Sequence, residues 1–179
     1  MPRGISKTIL LPLGVVGLGL VAFWALRSRA KPPAVNVGNA TGKPGDTVVI
    51  EVRLENGAGK IVATSNDIAY DSTQVNVRQT STGVPDCTIT PRIGSGSGAD
   101  KTLLVAVRDL ALTQRRLTAG VINLGNQSVI PDGALFTCSF AIAPGARRGR
   151  VTLENAPGTS DVEANEVAAT GTNGTITVE

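Results

Sequence analysis

From Val35 onward the chain alternates apolar and polar residues with a period of two, in short runs broken by Gly, Pro, Asn and Asp. That period puts successive side chains on opposite faces of an extended strand. Residues 47–55 show it most plainly: Val48, Ile50, Val52 and Leu54 share one face, and Thr47, Glu51, Arg53 and Glu55 share the other. Further runs at 35–37, 62–70, 74–78, 87–90, 102–109, 134–143, 150–155 and 175–179 bring the expected strands to nine. Residues 102–109 are apolar on both faces for much of their length, which predicts a central strand. Phe136, Cys138, Phe140 and Ile142 share one face of 134–143, and Ile68 and Tyr70 share a face of 62–70. After residue 31 no convincing helical stripe appears. With 21 Gly and 10 Pro in 179 residues, turns are frequent, and the expected architecture is one all-β sandwich.

Residues 8–26 (TILLPLGVVGLGLVAFWAL) depart from this pattern. They carry no charge, and as a helix they reach roughly 28 Å, close to the thickness of a bilayer core. Trp24 sits near the end of the run, where an indole suits the membrane interface. The run is apolar on every face and flanked by charge, unlike a helix of a soluble core. A retained transmembrane anchor or uncleaved signal is expected, preceded by a short basic tail (residues 1–7). Ser28-Arg29-Ala30 supplies the competing small-x-small cleavage site, after which the domain would be secreted. A basic, Pro-rich spacer follows (residues 27–34), and its Pro32-Pro33 pair favours an extended chain. Arg3-Gly4-Ile5-Ser6 also resembles a prepilin leader, although Ile9 stands where that motif has a glutamate. A pilin-like or envelope structural subunit is therefore an alternative.

Five basic residues and no acid fall in residues 1–31, which leaves 12 basic against 14 acidic side chains on the domain. A nucleic-acid surface needs its cations on the folded domain, so no nucleic-acid partner is expected. The chain has no histidine, which excludes His-based triads and metal sites. The carboxylate pairs Asp67/Asp71 and Glu163/Glu166 read as charged strand ends and loops. Asp161, Glu163 and Glu166 lack the ligand alternation of a calcium loop. Residues 94–98 (GSGSG) lack the lysine and helix of a phosphate loop. No catalytic residue, metal or cofactor is expected. Arg147-Arg148-Gly149-Arg150 reads as a solvated turn, with contact to anionic lipid as the alternative.

Cys87 and Cys138 both fall on expected strands, 51 residues apart and outside any CxxC motif. A redox or metal pair is disfavoured by that spacing, and two free core thiols are the remaining alternative. Alongside an export-type segment the reading is a disulfide between neighbouring strands. A disulfide needs an oxidising compartment and so sets the domain outside the cytoplasm, at the cell membrane.

Three stretches together resemble a cohesin module. They are VNVGNATGKPGDTVVIEVR (residues 35–53), the strand ending in Tyr70-Asp71 with Gln74-Val75-Asn76-Val77 after it, and Ile130-Pro131-Asp132-Gly133-Ala134-Leu135-Phe136 leading through Ala143-Pro144-Gly145-Ala146 and Val151-Thr152-Leu153 to GTNGTITV. Their order and spacing span residues 35–179. The resemblance implies a nine-stranded jelly-roll sandwich without catalysis, docking a protein partner through one sheet face. In cohesins that partner is a dockerin, a small calcium-loaded helical module. The strand ending in Tyr-Asp presents an outward Asn and Asp to it, and here Ala63 and Ser65 stand at those positions. Asp67 lies two residues further along the same face, and Arg108 is a further candidate. Carbohydrate-binding modules share this architecture, but they stack sugars on exposed aromatics, and Tyr70, Phe136 and Phe140 all have core parity here. Polysaccharide binding is therefore the second reading.

Overall fold

Twelve strands build the domain: β1 (Ala34–Val37), β2 (Asn39–Gly42), β3 (Thr47–Glu55), β4 (Ala63–Asp71), β5 (Val75–Val77), β6 (Cys87–Ile89), β7 (Thr102–Asp109), β8 (Gln114–Ile122), β9 (Gly133–Ile142), β10 (Gly149–Ser160), β11 (Glu166–Val167) and β12 (Gly174–Val178). The computed structural model describes residues 31–179. The expected membrane-spanning segment, residues 8–26, lies outside them. Among the described residues no helix is long and apolar enough to cross a membrane.

One sheet has the order β1-β3-β9-β5, with β6 also paired to β9. The other runs β2-β12-β10-β4-β8-β7, with β11 paired to β10. All pairings are antiparallel except that of β2 with β12. The inner faces of the two sheets close over a single core in which Phe136, Phe140, Ile50, Leu54 and Leu153 are fully buried. Tyr70 of β4 meets Phe140 of β9 edge to face, with ring centroids 5.5 Å apart, so an aromatic pair bridges the sheets. At the open side Asn155 of β10 bridges them as well. Its Nδ2 donates to the Val35 carbonyl at 2.7 Å, and its Oδ1 accepts from Asn66 Nδ2 at 2.9 Å.

β9 organises the smaller sheet. It takes β3 along one edge, and β5 and β6 end to end along the other. A bulge opposite Val52/Arg53 leaves Leu135 without a cross-strand partner, and both Leu135 and Phe136 are buried. Cys87 faces Cys138 directly in the β6–β9 register, with Cα atoms 4.1 Å apart, and the two form a disulfide. A strand of three residues has few contacts of its own, so the covalent link holds β6 in place.

The strand count and two placements differ from the sequence expectation. β2, β8 and β11 are additional strands. β7 is an edge strand of the larger sheet, not a central one. Its second apolar face looks outward: Leu104 is 55% exposed, while Leu103, Val105 and Val107 pack on the core only in part. β10 continues past residue 155 through Pro157 to Ser160. Pro157 has no N–H to give, which usually excludes it from an inner strand. Here it falls in the gap between β12, whose pairing ends at Leu153, and β11, whose pairing begins at Thr159.

Lys101, just before β7, is 2% exposed, and among the described residues its Nζ has no hydrogen-bond partner. Desolvation pushes its pKa below the ordinary 10.5. The folded state then binds fewer protons than the unfolded chain just below pH 10.5, so this residue adds stability as pH rises towards that value. Tyr70 acts oppositely above pH 10: burial raises its pKa, and stability is lost as the unfolded phenol ionises. The difference between wild type and Lys101→Met isolates the lysine. Lys101→Met is expected to stabilise the domain by about 1–2 kcal/mol at pH 7, with the gain shrinking towards pH 10.5. Denaturant titrations across pH test this, and a less stable variant at pH 7 contradicts it. For the cysteines, alkylation without reduction is expected to label neither. Replacing both by Ala is expected to cost about 3–4 kcal/mol in the chain-entropy model.

Candidate functional site

The outer face of β10, β4, β8 and β7 is a four-strand platform whose rows follow from the register. The first row reads Ser160, Ala63, Ile122, Thr102, and the second Gly158, Ser65, Gly120, Leu104. The third reads Ala156, Asp67, Thr118, Ala106, and the fourth Glu154, Ala69, Arg116, Arg108. Strand alternation explains the separation from the core. On β4 the buried side chains are Thr64, Asn66, Ile68 and Tyr70, and the residues between them face outward. The structure thus sets Ala63, Ser65, Asp67 and Arg108 on one face, one in each row.

Apart from Ile122, Leu104 and Asp67 the upper three rows carry small side chains, so much of the surface lies close to the backbone. At Gly158 an added Cβ would come within 2.6 Å of Ser65 Oγ, so the glycine leaves room for that hydroxyl. A hollow of about 340 Å³ opens above Ala63 and Ser65, walled by Ile122 and Ser160 and rimmed by Ala164 and Glu166. A second, of about 380 Å³, lies lower on the face between Asp67, Arg116, Glu154 and Ala156.

Asp67 is held from both oxygens. Arg116 Nη1 donates to Oδ2 at 3.0 Å, and Thr118 Oγ1 donates to Oδ1 at 2.7 Å. The pair is about a third exposed, so it fixes geometry more than it adds stability. Arg108 projects from the exposed edge strand, directly across from Arg116.

The other features singled out in the sequence lie elsewhere. Asp161 Oδ1 accepts the backbone N–H groups of Glu163 and Asn165 at 3.0 and 2.9 Å, which makes this acidic run a capped turn. Among the described residues no group of three His, Cys, Asp or Glu side chains is placed to hold a metal. Arg147, Arg148 and Arg150 are exposed at the β9–β10 turn. That turn follows the end of β9, whereas Ala34, where the chain joins the sandwich, pairs with Glu55 near the start of β9. The basic turn and Ala34 are therefore at opposite ends of the smaller sheet. Every aromatic side chain among the described residues is buried, so the domain presents no stacking platform for a sugar ring.

One of the platform's four strands, β8, is not among the strands expected from the sequence. Thr118, Gly120 and Ile122 are platform residues, and Leu117, Ala119 and Val121 beneath them are buried. The alternation Leu-Thr-Ala-Gly-Val was the available signal. Adjacent Arg115 and Arg116, with a glycine in the run, weaken it.

Comparison with known proteins agrees with this geometry. The cohesin domain model matches residues 33–178. Cellulose-binding protein A of Clostridium cellulovorans is 29% identical over 129 residues, 72% of this chain, and the chain spans 6% of that relative's length. A type I cohesin–dockerin complex from Clostridium thermocellum superposes with a TM-score of 0.62 at 18% identity, over 83% of this chain and 100% of the other. The sixth cohesin of Acetivibrio cellulolyticus scaffoldin B, solved with a dockerin, gives 0.60 at 18% identity over 83% and 100%. A non-cellulosomal cohesin from the archaeon Archaeoglobus fulgidus gives 0.60 at 17% identity over 83% and 92%. These structures share the fold. The family match over nearly the whole described domain, together with the sandwich and its open sheet face, shows that this chain belongs to the cohesin domain family, whose members are non-catalytic protein-interaction modules.

Proposed function

We propose that the chain is an exported, membrane-anchored cohesin that docks a calcium-loaded dockerin on the outer face of β10, β4, β8 and β7. The observation that carries this reading is the platform itself. Apart from Ile122, Leu104 and Asp67 its upper rows are Ala, Ser, Gly and Thr, so a helix of a partner approaches the strand backbones closely along the hollow above Ala63 and Ser65. The face is built on paired strands with a packed core beneath, which favours docking with little backbone change. Similar cohesins have been solved with dockerins seated on them. Anchoring rests on the uncharged run at residues 8–26. The extracytoplasmic placement rests on the Cys87–Cys138 disulfide, which persists in oxidising compartments.

Two measurements test the reading. The full chain in detergent micelles is expected to retain a purified dockerin in calcium and release it in chelator. Ser65→Arg fills the hollow from an exposed position, so it is expected to weaken that binding about 100-fold and to change stability by under about 0.5 kcal/mol. Equal retention by wild type and Ser65→Arg places docking elsewhere. Retention on insoluble polysaccharide without any dockerin binding moves the carbohydrate reading to first place. For topology, protease added outside intact cells is expected to remove the domain and leave a membrane-bound stub. Full protection of the domain contradicts export.

A further inference from the structure

The fourth row of the platform contains an arrangement that the fold does not reward. Arg108 of β7 and Arg116 of β8 are direct cross-strand neighbours on the same face. Like charges in that relation repel and destabilise a sheet. Asp67 offsets Arg116 through a single nitrogen, Nη1, at 3.0 Å, and the rest of that guanidinium fork stays free to donate. Arg108 is exposed and, among the described residues, has no carboxylate in salt-bridge contact. Its neighbour Asp109 projects to the opposite face and is taken by Arg115 at 2.6 Å. Glu154, the only acid in the row, is separated from Arg116 by Ala69. Further along the same face Arg150 is also exposed, in a hollow it shares with Gln114, Asp71 and Glu154. The other end of the platform is rimmed by the exposed acid Glu166.

We propose that Arg108 and Arg116 form a carboxylate-receiving site, selecting a dockerin whose docking helix places an Asp or Glu over the fourth row. The inference rests on the docking reading above and names the chemistry of the partner. A carboxylate between two guanidinium forks accepts charge-assisted hydrogen bonds from both. It also relieves the repulsion present in the free domain, so the strain is released only on binding. Covering the row with a partner removes water and strengthens these contacts. The same arrangement sets the direction of the partner. With the helix reversed, its acid meets Glu166 instead.

The test uses the full chain in detergent micelles and a panel of purified calcium-loaded dockerins ranging from acidic to basic net charge. Acidic members are expected to bind more tightly, with affinity falling as salt rises. Arg108→Gln is expected to weaken the best binder about tenfold and to flatten its salt dependence. In the free protein the same change is expected to raise Tm by about 1–3 °C, because the cross-strand repulsion is gone. Arg108→Glu is expected to shift preference towards basic dockerins. Unchanged affinity and salt dependence in Arg108→Gln overturn the proposal while leaving docking intact, as does a lowered Tm with unchanged binding. Wild type that binds no dockerin overturns the docking reading and this proposal together. Arg108-dependent retention on a uronate or sulfated polysaccharide, with no preference among dockerins, assigns the pair to another anion and overturns the carboxylate partner.

Discussion

The register of β4 between β10 and β8 is the constraint on which both core and surface depend. Side chains alternate across a strand, so a slip of one residue exchanges its two faces. In the observed register Ile68 and Tyr70 are buried and Ser65 and Asp67 face outward. The alternative would send a phenol into water and a carboxylate into an apolar core, at a cost of several kcal/mol. Several devices fix the choice. Tyr70 locks edge to face onto Phe140 of the opposite sheet, Asn66 is tied to Asn155, and Asp67 reaches sideways to Arg116 and Thr118. The outward face is thus a by-product of the same pairing that builds the core.

The sequence was most legible where one strand face is purely apolar. β3, with four apolar residues in alternation and the Lys43-Pro44-Gly45-Asp46 turn before it, is read within its observed bounds. β9 follows for the same reason, and β4 is read from Ile68 and Tyr70 although Thr64 and Asn66 share its buried face. Legibility fails where polar side chains serve a surface function. β8 mixes two arginines and a glycine into its alternation because one face is platform. β7 reads as central because its outward face carries Leu104 and Ala106. A sequence alone does not distinguish an apolar residue meant for a core from one meant for a surface. Pro157 misleads differently: its effect depends on whether a neighbour needs the missing donor, which is a property of the sheet.

The candidate residues show the same division. Alternation along β4 sets Ala63, Ser65 and Asp67 on one face. The relation of Arg108 to Arg116 requires knowing which strands are neighbours, and local pattern does not contain that. The smaller sheet contributes by holding the other side of the sandwich. There the Cys87–Cys138 link and the full burial of Phe136 and Phe140 supply stability that the platform's small side chains do not.

The way the chain joins the sandwich has a mechanical consequence. The spacer leads into β1, which starts at Ala34 and runs antiparallel to β3 as far as Val37. Pro33 is held by Thr170 N–H at 2.9 Å, and Val35 by Asn155 at 2.7 Å. Tension applied through the spacer away from the domain acts along the axis of β1. The hydrogen bonds to β3 are then loaded together in shear, instead of parting one after another as in a peeled hairpin. A pull on the spacer must therefore break the first strand's attachment to both sheets at once before it can unravel the outer face of the larger sheet.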